Sequence, residues 1–420
     1  MSLIKAQPFD CMQYLYSQVQ NPLIRCCLHF SGKLDVGQLM RAISHLRSVF
    51  PIFDCRFDHH KQCWRYEGSF ASDNYLVVVP VEHLDHDALV KETLQSSIRI
   101  EADPPIKFYL ISSTNADTLC VIASHLMCDG RGLVRLLERL AAVYTELPAS
   151  EDIDEEWMMR REFSQLIKEL PRQEKMRILT SRSVVATKCG QPYLPLTGAT
   201  MVSFLFVREI GERDFSAIRR YAKQHGSSIN DILITAYMRE LYKQWGWTAI
   251  TLPCPVDLRR FTEAEEACGI GNLTSNYFCH VDFGEDESFD ETLRTVSRQM
   301  KVQKASHHCL KGPMLYHLLY RFLPFSILKK IFFILSPVPV TSYTNIGVID
   351  DKKMKFGQLE MVDAYFVTAT KCSPYFQLTT STFKGKCTLT SSSLSNDQDQ
   401  QIISNLINGI IKSLQQLHPG

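Results

Sequence analysis

Ala123-Ser124-His125-Leu126-Met127-Cys128-Asp129-Gly130 is the stretch that decides how the chain is read. Before it runs Thr118–Ser124 (TLCVIAS), short, apolar and rich in strand-forming residues; after it, Leu133, Leu136, Leu137 and Leu140 recur at helical spacing, which predicts a helix over 132–145. The pattern H-x-x-x-D-G therefore falls at a strand-to-helix junction. A histidine that ends a strand can project its ring into a cleft, where neutral imidazole is a competent base near pH 7. Asp129, four positions on, need not touch that ring and can anchor the turn through a cation. Gly130 suits a backbone conformation that side chains oppose.

Working outward, the first half reads as mixed α and β. Strands are expected at 23–31, 75–81, 106–112 and 118–124, with a helix over 35–50. SEDIDEEW is acidic and expected at the surface. QPYLPLTGAT, with Pro192, Pro195 and Gly198, marks a break, so two units are expected, 1–195 and 196–420. The second half repeats the mixture. A strand at 200–207 leads to helices at 212–225 and from Ser227 or Ser228 onward. Strands are then expected at 248–254, 276–283, 338–345, 365–370, 375–382 and 387–393, and a closing helix from about 396 to 417.

Composition narrows the function. Lys+Arg 46 against Asp+Glu 45 gives a formal net charge of +1, without the basic excess of a nucleic-acid binder. Small molecules or proteins are the expected partners. The 14 cysteines are scattered, with no C-x-x-C pair, and the N-terminus lacks the apolar run of a secretory signal. Buried free thiols and a cytoplasmic location are expected. Residues 313–340 are strongly apolar, but Arg321, Pro324, Lys329 and Lys330 interrupt them, so no transmembrane segment is expected. Two short amphipathic helices broken near Pro324 are expected instead, packed on the protein's own core, with an acyl-chain channel or a membrane-surface contact as the alternatives. No metal site is expected: Glu82-His83-Leu84-Asp85-His86-Asp87 reads as a solvated loop, as do His59-His60 and His307-His308.

H-x-x-x-D-G resembles the signature shared by chloramphenicol acetyltransferase, condensation domains of nonribosomal peptide synthetases, polyketide-associated acyltransferases, wax ester synthases and plant BAHD acyltransferases. Other segments resemble the same superfamily in order along the chain: Gln7–Ser17 (QPFDCMQYLYS), Ile43–Phe57, Ser228–Ala236 (SINDILITA), Pro255-Val256-Asp257-Leu258-Arg259, Gly271–Asn276 (GNLTSN) and Thr344-Asn345-Ile346-Gly347. The chain departs from the pattern at Ser124, where many condensation domains carry a further histidine. It also lacks the plant D-F-G-W-G motif, for which Lys355-Phe356-Gly357-Gln358 is a faint echo.

The resemblance implies an α/β fold of mixed sheets, in which two chloramphenicol acetyltransferase-like subdomains form a V around a central tunnel. It implies His125 as general base, Asp129 and Gly130 as structural residues, and Arg259 as the partner of Asp129. Asn345, Ser342 and Ser381 are candidate oxyanion or tunnel residues. The implied activity is acyl transfer from a thioester to a hydroxyl or amine. The donor would be acyl-CoA or a phosphopantetheine-linked acyl group, with no permanently bound cofactor; the acceptor would be a small or lipidic molecule. An acyl-carrier protein is a further expected partner. No carrier or adenylating domain is attached, which suggests a stand-alone enzyme. The alternatives are carrier-dependent amide formation and a non-catalytic binding module.

Overall fold

The computed structural model describes residues 3–68, 70–81, 85–147, 161–168, 170–181, 193–198, 202–262, 269–335 and 339–417. The acidic segment, Glu82–Leu84 and part of the Pro192–Thr200 break lie outside them.

Strand Asp117–Ser124 is buried along its whole length, because neighbours pair with both edges and helices cover its faces. It lies between Leu23–Phe30 and Ile106–Ser112 in a five-stranded sheet completed by Leu76–Pro80 and Met361–Val367. Helix Gly130–Thr145 buries Leu133, Leu136, Leu137 and Leu140 to 0% exposure. Each such leucine contributes on the order of 2 kcal/mol by leaving water. The helix starts two residues earlier than the leucine spacing indicates, since the Asp129 side chain caps it by accepting from the Gly132 N–H at 2.7 Å.

The second sheet joins Thr341–Ile349, Phe376–Phe383, Lys386–Ser395 and Val202–Ile210. Its far end takes Thr370–Cys372 and the short strand Gln20–Asn21. Each sheet thus contains a strand from the opposite half of the sequence. The single strand expected at 365–370 is two: Met361–Val367 pairs in the first sheet and Thr370–Cys372 in the second. The crossing is pinned by Arg25, 1% exposed, whose guanidinium donates to the carbonyl of Thr368 (3.1 Å) and to Thr370 Oγ1 (2.9 Å). Burial pushes its pKa down to about 10.

A separate antiparallel pair, Ala249–Asp257 with Thr274–Asp282, carries the remaining site residues at its tip. The first strand runs on through Pro253 and Pro255 to Asp257, beyond the expected end at Cys254. Among the described residues this strand is hydrogen-bonded on one side only, which leaves room for prolines that cannot donate. The apolar stretch forms two helices, Lys311–Phe322 and Phe325–Leu335, on either side of Pro324. None of the described helices is long and apolar enough to cross a membrane.

Candidate active site

The backbone N–H of His125 donates to Pro22 O at 2.7 Å, extending the strand pairing by one residue. A tight turn follows, in which the N–H groups of Met127 and Cys128 both donate to Ser124 O (3.0 and 3.4 Å). Ser124, Leu126, Met127, Cys128 and Asp129 are buried, whereas His125 is half-buried.

Asn272 fixes the state of the ring. Its Nδ2 donates to Leu126 O at 3.0 Å and to Asp10 Oδ1 at 3.4 Å. Both groups accept only, so the amide oxygen must face His125 Nδ1, 3.1 Å away. Nδ1 therefore carries the proton and Nε2 is left with a free lone pair. Burial depresses the imidazole pKa below its ordinary value. The ring's own carbonyl, the Asp129 charge and the Asn272 bond oppose this in part, and the Lys371 charge adds to it. The ring is accordingly neutral at pH 7.

Asp129, 1% exposed, uses both carboxylate oxygens on structure. While Oδ1 caps the helix, Oδ2 accepts from Arg259 Nη1 (3.1 Å), the Leu273 N–H (2.7 Å) and Thr274 Oγ1 (2.9 Å). Arg259, fully buried, also reaches Asp257 Oδ1 at 2.8 Å and Gly271 O at 2.9 Å. Burial alone would raise the Asp129 carboxyl; Arg259 and the backbone donors reverse that and hold it below the usual carboxylate range. The same aspartate therefore anchors both the helix and the 271–274 segment that holds Asn272. Gly130 takes no left-handed conformation. A side chain is excluded there by packing, since a Cβ would lie 2.9 Å from Ile346 Cδ1.

Beneath the ring lies a buried polar cluster. Asp10, 1% exposed, accepts from Arg161 Nη2 at 3.1 and 3.0 Å and from Trp64 Nε1 at 3.0 Å. Arg161 Nη2 also donates to Met127 O at 3.0 Å, so two consecutive carbonyls of the histidine turn are held by side chains distant in sequence. Lys371 donates to the Gln20 side-chain oxygen, and burial pushes its pKa down to about 8.

Each of the three oxyanion candidates has a hydrogen-bond partner of its own. Ser342 Oγ donates to Phe376 O (3.3 Å) and Asn345 Nδ2 to Asn230 Oδ1 (3.2 Å), while Ser381 Oγ, 1% exposed, accepts from the Phe366 N–H (3.3 Å). Ile346, the extra residue at the strand's irregularity between Asn345 and Gly347, packs against Gly130 of the motif. Cys128 is fully buried and its thiol pKa is pushed up by burial, which suits packing and not nucleophilic attack. No three His, Cys, Asp or Glu side chains converge as metal ligands among the described residues.

The sequence reading gave no site role to Asn272, Asp10, Arg161 or Lys371. Asn272 lies in a segment already singled out, so its position in that motif was the available signal. For the others, only the folded pairing brings them near His125.

Two mixed sheets meeting beside a histidine-bearing turn constitute the chloramphenicol acetyltransferase-like fold. The first condensation domain of the CDA synthetase shares it with a TM-score of 0.68 at 16% identity, over 99% of this chain and 95% of that one. Polyketide synthase associated protein 5 from Mycobacterium tuberculosis gives 0.67 at 13% identity, over 100% and 99%. The condensation domain of the monacolin K polyketide synthase MokA gives 0.66 at 12%, over 99% and 98%. Within this superfamily the chain belongs to the condensation domain family, whose model matches residues 13–309. It is also 26% identical over 222 residues to bacitracin synthase 3 of Bacillus licheniformis, matching 50% of this chain and spanning 3% of that protein's length.

Proposed function

We propose that the protein transfers an acyl group from a phosphopantetheine thioester to an amine or hydroxyl, with His125 Nε2 as the base. The observation that carries this reading is the half-buried, neutral ring whose Nδ1 is committed to Asn272 Oδ1. Nε2 takes the acceptor's proton as its nitrogen or oxygen attacks the thioester carbonyl. The tetrahedral oxyanion collapses, the carbon–sulfur bond breaks, and the imidazolium returns the proton to the leaving thiolate. General base catalysis of this kind supplies ~10²–10⁴ in rate. Lys371, held by Gln20 two residues before the Pro22 whose carbonyl accepts from His125, is the cation we assign to the developing oxyanion.

Coenzyme A and a carrier protein present the same phosphopantetheine arm. The likeness to bacitracin synthase 3 and to the CDA synthetase domain favours the carrier-bound donor and an amine acceptor. A small hydroxylic or lipidic acceptor with acyl-CoA is the second reading, favoured by the likeness to polyketide synthase associated protein 5 over nearly the whole of both chains. Thiol release, followed with acyl-CoA and with acyl-carrier protein against amine and alcohol panels, separates the two. His125→Ala is expected to lower turnover by ~10²–10⁴ with an unchanged circular dichroism spectrum. Equal rates in wild type and variant would remove the base assignment, and no release with either donor would favour a binding module.

A further inference from the structure

The helices Lys311–Phe322 and Phe325–Leu335 are apolar on two sides. Pro313, Met314, Tyr316, Leu328 and Phe332 are buried and face inward. Leu315, Leu318 and Phe322, spaced i, i+3, i+7 on one outer face, are 42%, 39% and 73% exposed. On the second helix Ile327 and Ile334, also seven apart, are 45% and 79% exposed. Exposed Arg321, Lys329 and Lys330 flank these stripes.

The charge around them is one-sided. Between Glu291 and Asp350 the sequence contains eight Lys or Arg and no Asp or Glu, in a chain whose net charge is only +1. Of the carboxylates on neighbouring elements, Glu174 is taken by His307 (3.2 Å) and Arg177 (3.6 Å), whereas Glu162, bonded to Ser164 Oγ (2.9 Å), keeps its charge and acts on His317. At ~18 and ~17 Å the two helices are too short to span a bilayer core of about 30 Å. Apolar stripes flanked by cations suit a helix lying in the boundary between headgroups and acyl chains.

We propose that this helical pair docks on an anionic lipid surface. Phe322, Ile327 and Ile334 enter the headgroup boundary, and Arg321, Lys329 and Lys330 meet the lipid phosphates. A symmetric contact with a second copy is disfavoured, since it would set like charges against each other. The inference stands apart from the acyl-transfer reading.

Sedimentation with vesicles of phosphatidylcholine, alone or with phosphatidylglycerol added, tests it. The protein is expected to sediment with the anionic vesicles and stay largely in solution with the neutral ones. Lys329→Gln with Lys330→Gln is expected to weaken partitioning about 30-fold. Phe322→Ser with Ile334→Ser is expected to abolish it while the melting temperature is unchanged. Failure to sediment with anionic vesicles, or equal binding by these variants, would overturn the proposal. So would a concentration-dependent dimer, broken by the Phe322 and Ile334 changes, in a protein that ignores vesicles.

Discussion

Replacing Arg259 with methionine removes the cation that lies 3.1 Å from Asp129 Oδ2 and 2.8 Å from Asp257 Oδ1. The stem volume is roughly kept, so the change is mainly electrostatic. Asp129 retains three neutral donors, from Gly132, Leu273 and Thr274, but stays fully buried. A buried carboxylate stripped of its cation costs about 3–5 kcal/mol, which lowers the melting temperature of a chain this long by about 3–6 °C. Asp129→Asn alone is also destabilising, because its new amide hydrogens meet the Gly132 and Leu273 N–H groups and the Arg259 guanidinium, which can only donate. Combining the two removes opposite charges together, so the double variant should be better than the sum of its parts by about 2–3 kcal/mol. Urea unfolding of all four proteins at pH 7.5, followed by circular dichroism, measures this coupling. Asp129's folded pKa is depressed, so its contribution is present above the unfolded value of about 3.9 and is lost as the pH falls through the folded one. The coupling should accordingly be intact at pH 7.5. Additivity within ~0.5 kcal/mol would refute the view that this pair ties the histidine turn to the 271–274 segment.

The acid limb of the kcat/KM profile is expected below pH 6.5, because burial depresses the His125 pKa and only the neutral ring accepts a proton. Asn272→Ala should lower kcat roughly tenfold through lost orientation of the ring. It should also move that limb further toward acid, because the lost bond favoured the protonated ring; a limb above pH 7 in the wild type, or one unmoved in the variant, would contradict the geometry. Lys371→Met is expected to lower kcat by about tenfold or more with little change in KM, since a charge facing an oxyanion acts only in the transition state. An unchanged kcat in steady-state thiol-release assays would strip Lys371 of that role.

Much of the fold was legible locally. Ile106–Ser112 matches its expected strand residue for residue, and the helix capped by Ser228 and the break at Pro324 fall where the side chains demand them. Local chemistry misled in three places. Helix Gly130–Thr145 begins directly after its aspartate cap, two residues before the expected start at Gly132. The strand through Pro253 and Pro255 continues because one edge is unpaired, and the Thr368-Ala369 crossing divides what the apolar pattern presents as one strand. Each outcome depends on which neighbour a segment finds, which periodicity does not encode.

The sequence by itself determined the histidine's setting, the aspartate four residues on, and the apolar stripes that make sheets and helices. These follow from short-range sterics and from the spacing of apolar side chains. Only the tertiary structure decided that Asn272 orients the ring, that Asp10, Arg161 and Trp64 support the turn, and that Lys371 bonds Gln20, two residues before the Pro22 whose carbonyl accepts from His125. Asn272 and His125 are 147 positions apart, and Arg161 and Asp10 are 151 apart. A hydrogen bond between groups so distant in the chain forms only after the sheets have packed, and so it imprints no pattern on either residue's neighbours in sequence.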